Sequence, residues 1–115
     1  MSVPLTFRKN GFPYTREASD VLYAESAGQN CILHFENGDT EFYGYPLKFF
    51  HQKVWSTNLF RRLHRSYLVK MSKVISQVWL KAILFNGKII SLSRKGHKRV
   101  KKHLSGIMQS TPEKE

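Results

Sequence analysis

The most informative absence in this 115-residue sequence is that of acidic side chains. No Asp or Glu occurs between residues 42 and 112, a stretch that holds fifteen Lys or Arg. Residues 1–41 contain three basic and six acidic side chains, and the formal net charge of the whole chain is +11. A surface that only needed to be soluble would mix both signs. The one-sided charge therefore indicates a polyanionic partner, and nucleic acid is the first candidate.

Cysteine and long apolar runs are also scarce, which limits where the protein works. The single Cys31 allows no disulfide within the chain, and this fits a reducing compartment. We interpret Cys31 as a small core residue, with a redox-sensitive thiol near a binding loop as the alternative. No apolar run reaches the ~18–20 residues of a membrane span, and the N-terminus lacks the apolar segment of a signal peptide. We expect a cytoplasmic protein without a membrane partner.

The basic part of the chain lacks the residues that catalysis and metal binding require. An enzyme of this size usually needs paired carboxylates, a metal cluster or an activated nucleophile. The five histidines show no metal-ligand spacing, and Glu25 and Glu36 fall on separate predicted strands. We therefore predict no enzymatic activity, no cofactor, no metal and no small-molecule substrate.

What is present is a succession of short strand-forming segments separated by turn residues. Asn37-Gly38 and Asn86-Gly87 are strong hairpin signals, and Lys9-Asn10-Gly11 is a further turn. Strand-forming runs cover residues 5–7, 12–15, 21–24, 31–35, 40–43, 66–69, 74–79, 82–85 and 88–92. The pattern predicts a mostly-β, antiparallel domain of nine or ten strands. One domain fills residues 1–108, and a flexible tail, residues 109–115, follows.

In two segments the apolar residues are spaced as on one face of an α-helix. Residues 46–55 place Leu47, Phe50 and Val54 on one face, and Pro46 suits a first helical position. Residues 94–104 predict a C-terminal helix, which Ser93 can cap.

The segment from Phe60 to Lys70 is basic in its first half and apolar in its second half. Its first half carries three arginines and a histidine, which predicts a basic loop. Its second half contains Tyr67-Leu68-Val69, which predicts a buried strand. A loop held by a buried strand loses little entropy on binding, so this segment is the leading candidate for a binding site.

This segment and three others resemble, in the same order, the LytTR-type DNA-binding domains of bacterial response regulators. Residues 60–70 resemble the signature F-x-R-x-H-R-S-Y-L-V-N, and residues 20–26 resemble D-I-L-Y-I-E-S. Leu33-His34-Phe35 with Asn37-Gly38 resembles the next hairpin, and Ser93-Arg94-Lys95 resembles the S-R-R that opens the last helix. Together the matches cover roughly residues 5–105. Lys70, Asn30 and Gly96 depart from the family pattern.

The resemblance implies a fold and a mode of binding. The fold is mostly β, with about ten short antiparallel strands in an elongated stack of small sheets, one short mid-chain helix and a C-terminal helix. DNA is read by loops and a helix start in successive major grooves. The residues carried over are Gly28, Gln29 and Asn30 in the first loop, Arg65 beside His64 in the second, and Lys95 following Arg94 in the third.

Three basic neighbours complete the predicted DNA-binding set. We interpret Arg61 and Arg62 as phosphate contacts, although a solvated role for both stays open, and Lys98, on the solvent side of the predicted C-terminal helix, is also assigned to DNA binding. His64 is better interpreted as a residue that holds the loop than as a proton switch. Tyr23, Tyr67 and Phe85 are predicted to be core aromatics rather than base-stacking platforms; Trp55 and Trp79 carry no assignment.

The predicted function is sequence-specific binding of double-stranded DNA by a bacterial transcriptional regulator that reads direct repeats, with a homodimer on DNA as a possible assembly. One alternative is a non-specific nucleic-acid-binding or architectural protein. Another is a protein-interaction module that antagonises a related regulator. Met1 and the polar tail favour a stand-alone domain over a fragment.

Overall fold

The computed structural model describes the backbone of residues 3–109 and the side chains of residues 3–106. The strands are β1 (Pro4–Lys9), β2 (Phe12–Glu17), β3 (Val21–Ala27), β4 (Asn30–Phe35), β5 (Thr40–Tyr43), β6 (Phe60–His64), β7 (Tyr67–Lys70), β8 (Val74–Val78), β9 (Lys81–Leu84) and β10 (Ile89–Ser91). The α-helices are α1 (Leu47–Lys53) and α2 (Arg94–Gln109). Short 3-10 turns lie at Ala18–Asp20, Trp55–Thr57 and Met71–Lys73.

The ten strands form three separate antiparallel sheets. The order is β1-β2 in the first, β5-β4-β3-β7-β6 in the second and β10-β9-β8 in the third. The molecule measures 57 × 28 × 24 Å along its principal axes. This confirms the predicted elongated stack of small sheets with one mid-chain and one C-terminal helix.

The five-stranded sheet lies between two hydrophobic cores. One face packs against the first hairpin and α1, through Ala24 and Leu68 among others. The other face packs against the third sheet and α2, through Leu22 and Val69. Strands β3 and β7 are therefore apolar on both sides, which explains why their sequences are continuous rather than alternating apolar runs. This double burial fixes the position of the loops at the ends of the sheet.

The three predicted turns are confirmed. Asn10 and Gly11 both have positive φ (52° and 81°), as a tight two-residue hairpin turn requires. Gly38 and Gly87 also have positive φ, and the adjacent hairpins close with Phe35 N–H donating to Asp39 O and Leu84 N–H donating to Lys88 O.

Cys31 is fully buried, and burial raises the pKa of its thiol to about 11, which supports the core interpretation.

The predicted basic loop at residues 60–65 is wrong, because most of it is strand β6. This strand pairs with β7 at the edge of the five-stranded sheet, and Phe60 and Leu63 point into the two cores. The register shifts between Arg62 and His64, which marks a β-bulge. Phe60 and Leu63 face different cores and are separated by two arginines, so the segment lacks the single apolar face that identifies a half-buried strand.

Smaller differences concern element ends and one aromatic residue. Pro46 is the extended N-cap of α1 rather than its first helical residue. Phe85 is 46% exposed and lies outside both cores, whereas Tyr23 is buried as predicted. Helix α2 continues to Gln109; the rest of the predicted flexible tail, residues 110–115, lies outside the described residues. Within residues 3–109 no helix is long and apolar enough to cross a membrane.

Helix α2 approaches β6 closely at Gly96, a residue that the sequence alone marks only as a weak helix former. A Cβ atom at this position would lie 1.9 Å from the carbonyl oxygen of Leu63 and 2.6 Å from its carbonyl carbon. Both are backbone atoms, which move aside far less readily than the end of a flexible side chain. Gly96 is therefore required for the packing of α2, and its low helix propensity is a smaller cost.

We predict that Gly96→Ala destabilises the protein by about 1–3 kcal/mol, because the added methyl group forces α2 away from β6. Gly106→Ala is the matched control on the same helix, since a Cβ there meets nothing within 4 Å. Helix propensity alone predicts that this control is neutral or stabilising by up to about 1 kcal/mol. Urea denaturation measures both free energies of unfolding, and equal effects of the two substitutions would contradict the close-approach argument.

Candidate nucleic-acid interface

Two of the three predicted binding segments meet at one end of the five-stranded sheet. The β3–β4 turn contains Gly28 and Gln29, and the β6–β7 turn contains Arg65 and Ser66. Strands β3 and β7 are direct neighbours, and Ser26 N–H donates to Ser66 O at 2.8 Å. The antiparallel pairing therefore brings two turns that are almost forty residues apart in sequence to the same edge.

The third segment, the start of α2, joins this end through the backbone of β6. Both the amide and the hydroxyl of Ser93 donate to Leu63 O, at 2.9 and 3.3 Å. The Ser93 hydroxyl oxygen also accepts from Gly96 N–H at 3.0 Å, which confirms Ser93 as the helix cap. One serine thus caps α2 and attaches its first turn beside the β6–β7 turn.

The side chains predicted to contact DNA are mostly free to reach a partner. The exposed members of the set are Gly28, Gln29, Arg61, Arg65, Arg94, Lys95 and Lys98. Three others are half-buried, namely Asn30, Arg62 and His64. The structure therefore separates the predicted set into exposed residues and residues whose side chains are partly buried against the protein.

His64 is one of the engaged residues, and it holds the turn. The amide of Ser66 donates to His64 Nδ1 at 3.1 Å, and the imidazole ring lies 5.7 Å from the Tyr67 ring, centre to centre. Accepting this bond requires a lone pair on Nδ1. The interpretation of His64 as a residue that positions its neighbour Arg65 is supported by this contact.

Arg62 is the second engaged residue, and it closes the same turn from the other side. Its Nε donates to His64 O at 3.1 Å and its Nη2 to Arg65 O at 2.6 Å. Burial lowers the pKa of this guanidinium from its ordinary value. A contact between Arg62 and phosphate stays a prediction, but the structural role of its side chain is already clear from these two bonds.

A contact between the β8–β9 turn and the start of α2 was not predicted from the sequence. The Gln77 side-chain amide lies 2.5 Å from His97 Nδ1 and donates to the carbonyl of Trp79 at 3.3 Å. Trp79 has a positive φ of 53° and is 78% exposed. The Trp79-Leu80 turn contains no Gly, Asn or Pro, so no turn signal marks it. Its position places an exposed aromatic ring near the basic first turn of α2.

Glu25 bonds His34 at 2.9 Å on the strands that lead into the β3–β4 turn, and the other ion pairs of acidic side chains that the structure describes lie farther from this end of the sheet. Glu36 pairs with Lys70 at 2.5 Å and with Lys73 at 3.9 Å, and Arg16 pairs with Asp39 and Glu41. Among the described residues no group of three or more His, Cys, Asp or Glu could hold a metal ion. The basic end of the sheet thus combines outward guanidinium and ammonium groups with pre-positioned turns.

Comparisons with known proteins agree with the geometry. The sequence matches the family model of the LytTr DNA-binding domain over residues 14–105. The fold is similar to that of the LytTr DNA-binding domain of a protein described as a methyl-accepting/DNA response regulator from Bacillus cereus. That similarity has a TM-score of 0.68 at 19% sequence identity and covers 89% of this chain and 96% of the other. No curated protein matches the sequence.

We predict that Arg62→Lys loosens the β6–β7 turn although it keeps the positive charge. A lysine ammonium cannot reproduce the fork that bonds two carbonyl oxygens, so we expect a loss of about 1–2 kcal/mol in the free energy of unfolding. Amide hydrogen exchange at Arg65 and Ser66 should become faster. Arg94→Lys, at an exposed residue on the first turn of α2, is the control and should have a much smaller effect. If both variants behave alike, Arg62 contributes only charge.

Proposed function

The chain belongs to the LytTR family of DNA-binding domains, and we propose that it binds specific double-stranded DNA sites to regulate bacterial transcription. The observation that carries this proposal is the meeting of three exposed polar or basic segments at one end of a doubly buried sheet. A rigid base under the turns lowers the entropy cost of binding. Base-specific recognition needs such positioning, because bidentate hydrogen bonds tolerate little movement.

We propose that the turns enter the major groove and that each contributes a different chemistry. Arg65 can donate two hydrogen bonds to O6 and N7 of guanine. The amides of Gln29 and Asn30 can pair with adenine, and Lys95 can reach guanine or a phosphate. Gly28 allows the first turn to form with a positive φ of 65°. His64 positions the arginine and does not itself read a base.

Phosphate contacts supply the rest of the affinity in this proposal. Arg94 and Lys98 lie on the first turns of α2, and the N-terminus of a sixteen-residue helix favours an anion. Arg61 is exposed on the edge strand nearby. Because such contacts release counterions, binding should weaken steeply as the salt concentration rises. A partner that is DNA also implies that the protein acts in the cytoplasm.

One small domain offers few base contacts, so we propose that two copies bind a pair of direct repeats. Copies on the same DNA face need half-sites about 10 base pairs apart, or a multiple of one helical turn. The association of the two copies as a homodimer then takes place on DNA.

The first test distinguishes base reading from backbone binding at Arg65. We predict that Arg65→Ala costs about 1–3 kcal/mol on a selected cognate duplex and much less on a scrambled duplex, because only the cognate site offers the matching base. Fluorescence anisotropy titrations with both duplexes, at several salt concentrations, measure the two affinities.

The matched control changes charge on the same protein without changing base contacts. Lys101 and Lys102 are exposed on α2, and replacing both with Gln should weaken the two duplexes nearly equally. The slope of the logarithm of the binding constant against the logarithm of the salt concentration should become less steep by about 1 for each phosphate contact that is lost. Equal weakening of both duplexes by Arg65→Ala would instead support the non-specific alternative, in which the arginine only holds the backbone.

The second test addresses the arrangement of two copies. We predict that inserting about half a helical turn between the half-sites lowers cooperative binding, because it rotates one copy to the opposite DNA face. Restoring a full turn should restore cooperativity. Mobility-shift titrations across a series of spacings give the result, and indifference to spacing would indicate that a single copy reads the site.

A further inference from the structure

A cavity of about 350 Å³ lies over the edge strand β6, between the end of α1 and the middle of α2. Its lining contains none of the residues proposed to read bases, although Arg61, a proposed phosphate contact, is part of it. Its volume is within the range of small-molecule sites. The residues around it are of two kinds, three arginines on one side and an apolar and aromatic wall on the other.

The three arginines give the cavity a strong positive charge. They are Arg61 and Arg62 on β6 and Arg99 on α2. Each guanidinium bonds only neutral oxygen atoms: Arg61 donates to Phe60 O and to Asn58 Oδ1, and Arg99 donates to Arg62 O. No acidic residue lines the cavity among the described residues. Three guanidinium groups without a carboxylate leave donor capacity for an anionic ligand.

His51 gives a second sign that the positive charges converge here. Burial lowers the pKa of His51, and the nearby Arg62, Arg61 and Arg99 lower it further. Both effects favour the neutral imidazole, which can donate or accept a hydrogen bond without adding charge. Its ring centre lies 5.0 Å from that of Trp55, so it continues the aromatic wall.

The opposite wall is apolar and partly uncovered. Val54 and Phe60 are buried and form its base. Trp55 stands beside them and is 69% exposed, which is unusual for so large an apolar side chain. A phosphate group alone would satisfy the arginines but leave this wall in contact with water. A ligand that covered the wall as well would remove its apolar area from water.

We propose that this cavity binds a small organic anion whose carboxylate or phosphate group meets the arginines and whose aromatic or other apolar body lies against Trp55, Val54 and Phe60. Arg62 connects this site to the β6–β7 turn, because the same side chain lines the cavity and bonds His64 O and Arg65 O. An anion that draws the Arg62 guanidinium into the cavity weakens those two bonds. The ligand then lowers the affinity for DNA, a second step that rests on the proposed function.

The first experiment tests the site without DNA. The full chain, labelled with ¹⁵N, is titrated with 1-naphthoate, and the indole N–H signals of Trp55 and Trp79 are followed by NMR, with Trp79→Phe to assign them. We expect the Trp55 signal to shift to saturation while the Trp79 signal stays in place. Inorganic phosphate and the uncharged 1-naphthalenemethanol should each bind about tenfold more weakly or worse, since each supplies only half of the recognition.

Variants of the protein show which side chains contribute to the affinity for naphthoate. Arg99→Gln should weaken naphthoate binding about tenfold, the size expected for one charge-assisted hydrogen bond. Trp55→Ala, at a largely exposed residue whose loss leaves the core intact, should weaken it several-fold, on the order of one aromatic contact. Lys101→Gln is the matched control: it removes the same charge from α2 at a residue that does not line the cavity.

Each outcome decides the proposal. Equal binding of the uncharged alcohol, equal binding of phosphate, or an equal effect of Lys101→Gln and Arg99→Gln would overturn the site. The second experiment adds saturating naphthoate to a DNA titration, and we expect the dissociation constant for DNA to rise about three- to tenfold. An unchanged constant would overturn the coupling alone. If the protein binds no DNA at all, the proposed function fails, and the naphthoate titration still decides the site.

Discussion

The candidate interface depends on one backbone carbonyl, that of Leu63. It accepts the amide and hydroxyl protons of Ser93, and the close approach of Gly96 to it sets the distance between α2 and the sheet. Leu63 is the extra residue of the bulge in β6, so the irregular strand is what presents its carbonyl group to the helix. Without this contact the start of α2 would not lie beside the turn that carries Arg65.

The two hydrophobic cores hold the strands beside the Leu63–Ser93 contact in fixed positions. Strands β3 and β7 are buried on both faces and lead into the β3–β4 and β6–β7 turns. Because these strands are stable, the ends of both turns are held in place. Hydrogen bonds from the Arg62 side chain and to the His64 ring further restrict the backbone around Arg65. Such a site suits recognition by preformed loops, in which little ordering is required on binding.

The arginines of this protein do more than supply positive charge. Arg62 uses two of its donors on the turn, Arg99 bonds the backbone of β6, and Arg65 is exposed. A net charge of +11 explains attraction to a polyanion but does not distinguish these roles. The distinction depends on which guanidinium groups find carbonyl oxygens within reach and which do not.

The sequence by itself determined the Asn-Gly turns and the Ser93 cap, because each depends on neighbours within a few residues. It also determined the antiparallel β architecture and the family, through a succession of short strand signals and four motifs in the same order. Strand β6, the role of Arg62, the need for Gly96 and the arginine-lined cavity were decided by the tertiary structure. Each depends on backbone atoms brought together from distant parts of the chain, such as Leu63 O and α2. The sequence of β6 also shows no single apolar face, because its two buried residues face different cores and two arginines separate them. Local patterns specify elements, whereas contacts between elements specify which side chains are free to act.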